Sequence, residues 1–127
     1  MNVSDELVRS SDAEAVRLMA EVTGALAVII SSVDGFEVAA RASNPGQIAR
    51  MAAMASSMSA IGAVVGLETQ LGNHRGISID VDHGFVVMVE VRHAQSPLIL
   101  TIVTSRTGLL GQVLYRANQS AAKLAMI

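Results

Sequence analysis

The chain has 127 residues, enough for one domain with a sizeable core, and its apolar fraction of 51% excludes a disordered protein. A net charge of −2, with 2 Phe, 1 Tyr and no Trp, gives little basis for attracting nucleic acid or stacking on bases. The chain has no cysteine, which excludes a disulfide framework and a thiolate metal site. Its acidic start lacks the basic-then-apolar pattern of a signal peptide, so we expect a cytoplasmic protein.

The first predicted element is an amphipathic helix over residues 4–22. Its apolar face comprises Leu7, Val8, Ala15, Leu18, Met19 and Val22. A capping-box motif at Ser11–Glu14 offers a second start, at Asp12. We therefore predict a single domain over residues 12–127, preceded by residues 1–11 as an N-terminal arm or a helix extension. The sequence leaves both starts open.

A β-hairpin is predicted next. The segments Ala25–Ser31 and Phe36–Arg41 are short runs of strand-forming residues. Asp34-Gly35 lies between them and supplies the positive φ that a tight turn needs.

The longest predicted helix runs from Pro45 to Leu71, and Arg50 and Glu68 are its only charged residues. It is rich in Ala, Met, Leu and Gln, which are strong helix formers. Pro45 suits the first turn, because the N–H that it lacks would be unpaired there, and Ser43 or Asn44 can cap it.

The faces of this helix are apolar or small nearly all round. One stripe follows Ile48, Met51, Ala55, Met58, Gly62 and Val65, and a neighbouring one follows Met54, Met58, Ile61, Val65 and Leu71. The side that remains carries Ala53, Ser56, Ser57, Ala60 and Ala63. A surface helix of a monomer normally has a charged side. We therefore expect a second copy of the chain or another protein to cover it.

A membrane span is the competing interpretation of this helix. The uncharged run Met51–Leu67 has 17 residues, which is the lower limit for crossing a bilayer. It is rich in Ala, Ser and Gly, small residues recur at four-residue spacing, and no Trp or Tyr flanks it. Close helix–helix packing in water explains the same residues, so we predict no membrane span.

Three strands and a last helix complete the predicted fold. The strands are Gly76–Val81, Phe85–Arg92 and Leu98–Thr104, and the helix covers residues 107–125. The buried side of this helix is predicted to contain Leu110, Val113, Leu114, Ala117, Ala121 and Leu124. Tight turns join consecutive strands, so we predict an α+β fold with a mainly antiparallel five-stranded sheet and helices on its faces.

Residues that could carry chemistry are scattered. His74, His83 and His93 each lie in or beside a predicted turn, where histidines are usually solvated. Asp80, Asp82 and His83 could offer ligands to a cation, but they read more simply as the polar end of a strand. No nucleophile elbow, P-loop or dinucleotide-binding motif occurs. We predict no enzyme, no catalytic residue, no cofactor and no metal, and a small ligand- or metal-sensing domain is the less favoured alternative.

The hairpin segment Gly24–Phe36, GALAVIISSVDGF, resembles the first hairpin of the Roadblock family, the dynein light-chain roadblock proteins and their bacterial relatives. The small-residue helix, its glycine exit into a strand, and the strand–strand–strand–helix ending follow in the same order. The likeness covers about Asp12 to Ala125 and points to the bacterial branch of small-GTPase regulators.

The resemblance implies a profilin-like sandwich, in the order α-β-β-α-β-β-β-α, that forms a non-catalytic homodimer. Roadblock domains pair through the middle strand in chain order, and their second helices then lie side by side. Carried over to this chain, the implied interface consists of Met51, Met54, Ala55, Met58, Gly62, Ile77, Ser78, Ile79, Asp80 and Val81. The implied partner is a small Ras-like GTPase that the dimer regulates or scaffolds. The alternative is a structural adaptor subunit of a motor or cytoskeletal assembly.

Overall fold

The computed structural model describes residues 2–127 and has the predicted order of elements. The helices are α1 (Asp5–Glu21), α2 (Ile48–Thr69) and α3 (Leu110–Ala125). The strands are β1 (Ala25–Ser32), β2 (Glu37–Ala42), β3 (Gly76–Val81), β4 (Gly84–Val91) and β5 (Leu98–Ser105). The predicted α+β fold with the order α-β-β-α-β-β-β-α is confirmed.

All five strands form one antiparallel sheet in the order β2-β1-β5-β4-β3. The strands β2 and β3 are therefore the two edges of the sheet, and β5 lies at its centre. Because β1 pairs with both β2 and β5, the first hairpin joins the three later strands in one continuous sheet.

The first hairpin turns where the Asp-Gly pair predicts. Gly35 has a φ of +93°, in the left-handed region that glycine adopts without strain. Its N–H donates to the Ser32 carbonyl at 3.0 Å, and the Ser32 N–H donates to the Phe36 carbonyl at 2.8 Å. These bonds close the turn and fix the pairing of β1 with β2.

Helix α1 uses the earlier of its two predicted starts. Ser4 caps it, because its Oγ accepts the Leu7 N–H at 3.1 Å, and the helix then continues unbroken through Ser11–Glu14. Leu7 is fully buried. The division at residue 11 stays a prediction, and this burial favours the helix-extension alternative. Met1, the first residue of the predicted segment, lies outside the described residues.

The main core lies on one face of the sheet, beneath α1 and α3. Phe85 is its one aromatic member, and its leucines and isoleucines are Leu7, Leu18, Ile30, Leu98, Leu100, Ile102 and Leu124. Four of the six residues predicted for the buried side of α3 are buried, and Leu114 is partly buried. Leu110 differs, with 44% of its surface exposed, because it is the first residue of α3 and stands at the rim of the sheet beside β3.

A buried carboxylate links the two helices of this face. The Glu14 side chain is 4% exposed and accepts hydrogen bonds from Arg17, from Ser120 at 2.8 Å and from Lys123 at 3.3 Å. Burial alone would raise the pKa of Glu14, but the bonds from Arg17, Ser120 and Lys123 outweigh it and hold the pKa below its ordinary value of 4.5.

The lowered pKa of Glu14 predicts how stability depends on pH. A carboxyl whose pKa is depressed by folding stabilises the protein above its unfolded pKa, and this contribution is lost as the pH falls through the folded pKa. We expect Glu14→Gln to lower the free energy of unfolding at pH 7 by about 1–3 kcal/mol, and the deficit to shrink below about pH 4. Urea unfolding at several pH values measures it, with the exposed Glu6→Gln as control. A deficit that is constant with pH would contradict a role for the charge.

Candidate interaction surface

Helix α2 is positioned on the opposite face of the sheet by defined start and stop signals. A short 3-10 turn at Pro45–Gln47 precedes it, and the Asn44 side chain caps this turn by accepting the Gly46 N–H at 3.2 Å. The helix ends at Gln70, which adopts the left-handed conformation with a φ of 58°. Pro45 and Asn44 thus start and cap the 3-10 turn, whereas α2 itself begins three residues after the predicted start, at Ile48, without a side-chain cap.

The side of α2 that faces the sheet is built from its smallest residues. Ala52, Ala55, Gly62 and Gly66 are buried, and Ala55 packs against Met88 and Ile99 of the sheet. Met58 packs against the same cluster, as do Ile79 of β3 and Val86 of β4. Small side chains let the helix axis approach the sheet closely, which leaves the larger side chains on other sides of α2.

The outer side of α2 carries an exposed apolar surface, which we call the α2 stripe: Met54, Ile61, Val64 and Val65. These four residues are between 50% and 57% exposed, and Leu67, which is 75% exposed, lies on the flank of the helix away from Met54. A stripe of large apolar side chains along one helix is unusual on a monomer and typically marks an interaction site. The predicted lack of a charged side on this helix is confirmed.

The stripe adjoins a part of the sheet that α2 leaves partly open. One cross-strand row runs through all five strands on the α2 face and consists of Ala42, Ala27, Val103, Val86 and Ile79. Each member is apolar and only partly buried. The next row, which contains the buried Ile29, Thr101 and Met88, lies closer to the helix. The apolar surface therefore continues from α2 onto the sheet.

By length and composition, the segment Pro45–Thr69 could also cross a membrane, and 17% of its most apolar window is buried. This is the one such helix in the described part of the chain. Its inner side packs on the sheet of its own domain, and short loops tie both of its ends to strands. That packing favours a protein as the cover of the stripe.

The two glycines of α2 have a local explanation within the chain. A Cβ at Gly66 would lie 2.0 Å from the Gly72 carbonyl oxygen, and a Cβ at Gly62 would lie 2.8 Å from the His74 ring. The loop from α2 to β3 therefore packs directly on the helix backbone. Small residues at four-residue spacing can indicate helix–helix packing, but here Gly62 and Gly66 allow the loop to pack on the helix.

His74 is held in a polar cluster beneath α2, unlike a solvated loop histidine. Its Nε2 lies 3.4 Å from both Ser59 Oγ and Glu90 Oε1, and Ser59 Oγ donates to Glu90 at 3.1 Å. Its Nδ1 is buried and has no hydrogen-bond partner among the described residues. No local pattern in the sequence points to this cluster, because its members come from three separate segments. The cluster fixes the loop that leads into β3.

The predicted interface residues come from α2 and β3, and they differ in burial. Met54, Ser78, Asp80 and Val81 are exposed, and Met51, Met58, Ile77 and Ile79 are partly buried. Met58 and Ile79 belong to one cluster, so the structure brings the helix set and the strand set together. Ala55 and Gly62 are instead buried against their own chain.

The residues considered for a ligand or cation do not converge. The Asp80 carboxylate accepts a hydrogen bond from Arg106 at 2.5 Å. Across residues 2–127, no group of three or more His, Asp or Glu side chains is placed to hold a metal ion. The pairing with Arg106 is the role that the structure gives to Asp80.

Comparison with solved structures shows the same architecture in other proteins. The Roadblock/LC7 domain from Streptomyces avermitilis aligns with a TM-score of 0.79 at 19% identity, over 89% of this chain and 92% of that chain. The gliding protein MglB from Thermus thermophilus gives 0.85 at 14% identity, over 98% of this chain and 92% of that chain. A structure of MglB with a tetrameric arrangement gives 0.85 at 16% identity, over 98% and 91%.

No protein-family model matches the chain, and no curated protein does. The likeness therefore lies in the structure, where it extends over nearly the whole chain and over nearly the whole of each neighbour. Element order, sheet order and these alignments together show that the chain has the Roadblock/LC7 fold.

Proposed function

We propose that this protein is a non-catalytic Roadblock-type module that forms a homodimer and regulates or scaffolds a small Ras-like GTPase in a bacterial cytoplasm. The observation that carries the proposal is the exposed α2 stripe, on a helix that contacts β3, together with the outer edge of β3, which pairs with no strand among residues 2–127. The fold likeness to MglB adds support, because one of those structures has a tetrameric arrangement and its chains associate.

The two edges of the sheet differ in how they are protected. Strand β2 carries the exposed charges Glu37 and Arg41, which discourage pairing with another strand. Strand β3, with the sequence GISIDV, has a single charge, Asp80, and neither proline nor lysine. A second copy that pairs with β3 would satisfy its open backbone groups and place apolar surface against the α2 stripe.

The proposed interface contains the exposed and partly buried residues of both elements: Met51, Met54, Met58, Ile77, Ser78, Ile79, Asp80 and Val81. Ala55 and Gly62 contribute from beneath, because Ala55 packs α2 on its own sheet and Gly62 packs it on the loop at His74. Covering the stripe removes large apolar side chains from water, which stabilises the dimer by about 25 cal/mol for each Å² of apolar area buried.

The first experiment is the solution mass of the purified protein. We expect light scattering over a tenfold concentration range to give twice the chain mass of 13.2 kDa, or a multiple of that dimer. The reason is that in a single chain the α2 stripe stays exposed to water and the outward backbone groups of β3 have no strand to pair with among residues 2–127. A monomer throughout that range would refute the homodimer.

The GTPase partner is tested separately. We expect the dimer to bind a small Ras-like GTPase of the same organism in one nucleotide state, GDP or GTP analogue, more tightly than in the other. Titration calorimetry with both nucleotide states measures this preference. A dimer that binds no such GTPase in either state would refute the GTPase partner and leave the homodimer standing.

A further inference from the structure

The hydrogen-bonding phase of β3 shows which of its backbone groups face the open edge. The Glu90 N–H donates to the Arg75 carbonyl at 3.1 Å, in the same register that places Gly76 opposite Val89. In an antiparallel ladder, opposed residues alternate between pairs that exchange both hydrogen bonds and pairs that exchange none. The odd-numbered residues of β3 therefore bond to β4, as Arg75 does.

The even-numbered residues of β3 direct their backbone groups outward. These are Gly76, Ser78 and Asp80, and their N–H and C=O groups point to the side on which no strand within residues 2–127 pairs. This set is symmetric about Ser78, because one outward residue lies on each side of it.

The side chains impose a second condition on any pairing with another copy. Ile77 and Ile79 lie on the α2 face, since they oppose Met88 and Val86, and Ile79 packs in the cluster with Met58. Opposed residues of an antiparallel pair point to the same face. A pairing that keeps the isoleucines of both copies on the α2 face must therefore place outward residues opposite outward residues.

Resting on the homodimer proposed above, we propose that two copies pair antiparallel through β3 with Ser78 on the twofold axis. Ser78 then opposes Ser78 of the second copy, and Gly76 opposes Asp80 of the second copy. This register uses every outward residue and makes about six ladder hydrogen bonds. With the axis at Ile79 or Ile77, only two of the three outward residues of each copy oppose an outward residue of the other, which leaves about four hydrogen bonds.

Charge and shape favour the same register. With Ser78 on the axis, each Asp80 faces a glycine, and the two Asp80 positions lie about 13 Å apart along the strands. An axis at Ile79 halves that separation, and an axis at Asp80 sets two Asp80–Arg106 ion pairs directly opposite each other, which crowds their like charges. On the α2 face, Ile77 of each copy opposes Ile79 of the other copy. These four isoleucines extend the apolar row beneath Met58.

Single-cysteine cross-linking tests the register without background, because the chain has no cysteine of its own. We expect a short bismaleimide to cross-link Ser78→Cys readily, since the Cα atoms of a hydrogen-bonded pair lie about 5.5 Å apart. Asp80→Cys should react at least about tenfold more slowly across its longer separation of about 13 Å. Ala13→Cys, exposed on α1 over the far edge of the sheet, measures cross-linking by collision.

Each outcome separates the register from the dimer. Similar rates at Ser78→Cys and Asp80→Cys, both above the Ala13→Cys rate, would move the axis to Ile79 and overturn the proposal. An Arg75→Cys rate above the Asp80→Cys rate would move the axis to Ile77 and overturn it too, because the two Arg75 positions are then the nearer pair. A dimer by light scattering with both rates at the collision level would exclude β3 pairing while the homodimer stands. A monomer by light scattering would refute the homodimer itself, and the register with it.

Discussion

Gly66→Ala should destabilise the protein, although the same change in an ordinary helix interior stabilises it. Alanine normally gains about 0.5–1 kcal/mol over glycine in a helix. Here the new Cβ would lie 2.0 Å from the Gly72 carbonyl oxygen, and this neighbour is backbone. Gly72 has a φ of +96°, so its own conformation limits how the loop can yield. We expect a net loss of about 1–3 kcal/mol in the free energy of unfolding.

Urea unfolding of the wild type and three glycine variants measures this loss. Gly111→Ala is the matched control, because no described atom lies within 4 Å of the Cβ position in α3. We expect it to be neutral or slightly stabilising. Gly62→Ala should fall between the two, since the atoms it meets belong to the His74 side chain, which can rotate away from Ser59 and Glu90. Wild-type stability in Gly66→Ala would show that the loop moves freely.

The order and type of the elements could be predicted from the sequence because the local signals agree with the final structure. Asp34-Gly35 marks the first turn, and alternation along Gly76–Val81 marks a strand that has one face on α2. Pro45 and Asn44 mark the 3-10 turn that leads into the long helix. Each of these signals acts over a few residues, and so it can be read without knowledge of the tertiary contacts.

The orientation of α2 could not be predicted in the same way. Its sequence lacks a polar side, so periodicity gives no contrast between the buried and the exposed faces. The predicted stripe included Ala55 and Gly62, which are buried, but also Val65, which is half exposed. Only the sheet beneath the helix and the loop at His74 decide which face turns inward.

The start of α1 shows the opposite situation, in which two local signals compete. Ser4 and Ser11 both precede a residue pattern that can begin a helix. Burial of Leu7 in the main core decides for the earlier start, and that burial depends on strands far along the chain. Tertiary packing selects between two local solutions of similar quality.

Neighbouring substitutions on α2 should separate the folding surface from the interaction surface. Ala55 is fully buried against Met88 and Ile99, whereas Met54 is half exposed in the α2 stripe. Ala55→Arg would place an unpaired guanidinium in this apolar contact, which costs several kcal/mol. Domains are stable by about 5–15 kcal/mol, so we expect a large fall in the urea midpoint, or loss of folding.

Met54→Arg introduces the same side chain one position earlier, where it can reach water. We expect its circular dichroism and urea midpoint to stay close to those of the wild type, and its mass by light scattering to fall to that of a monomer. A folded Met54→Arg that remains dimeric would remove Met54 from the interface. A normally folded Ala55→Arg would contradict the packing of α2 on the sheet. Because the two variants differ only in which side of one helix carries the charge, their contrast assigns one face to folding and the other to association.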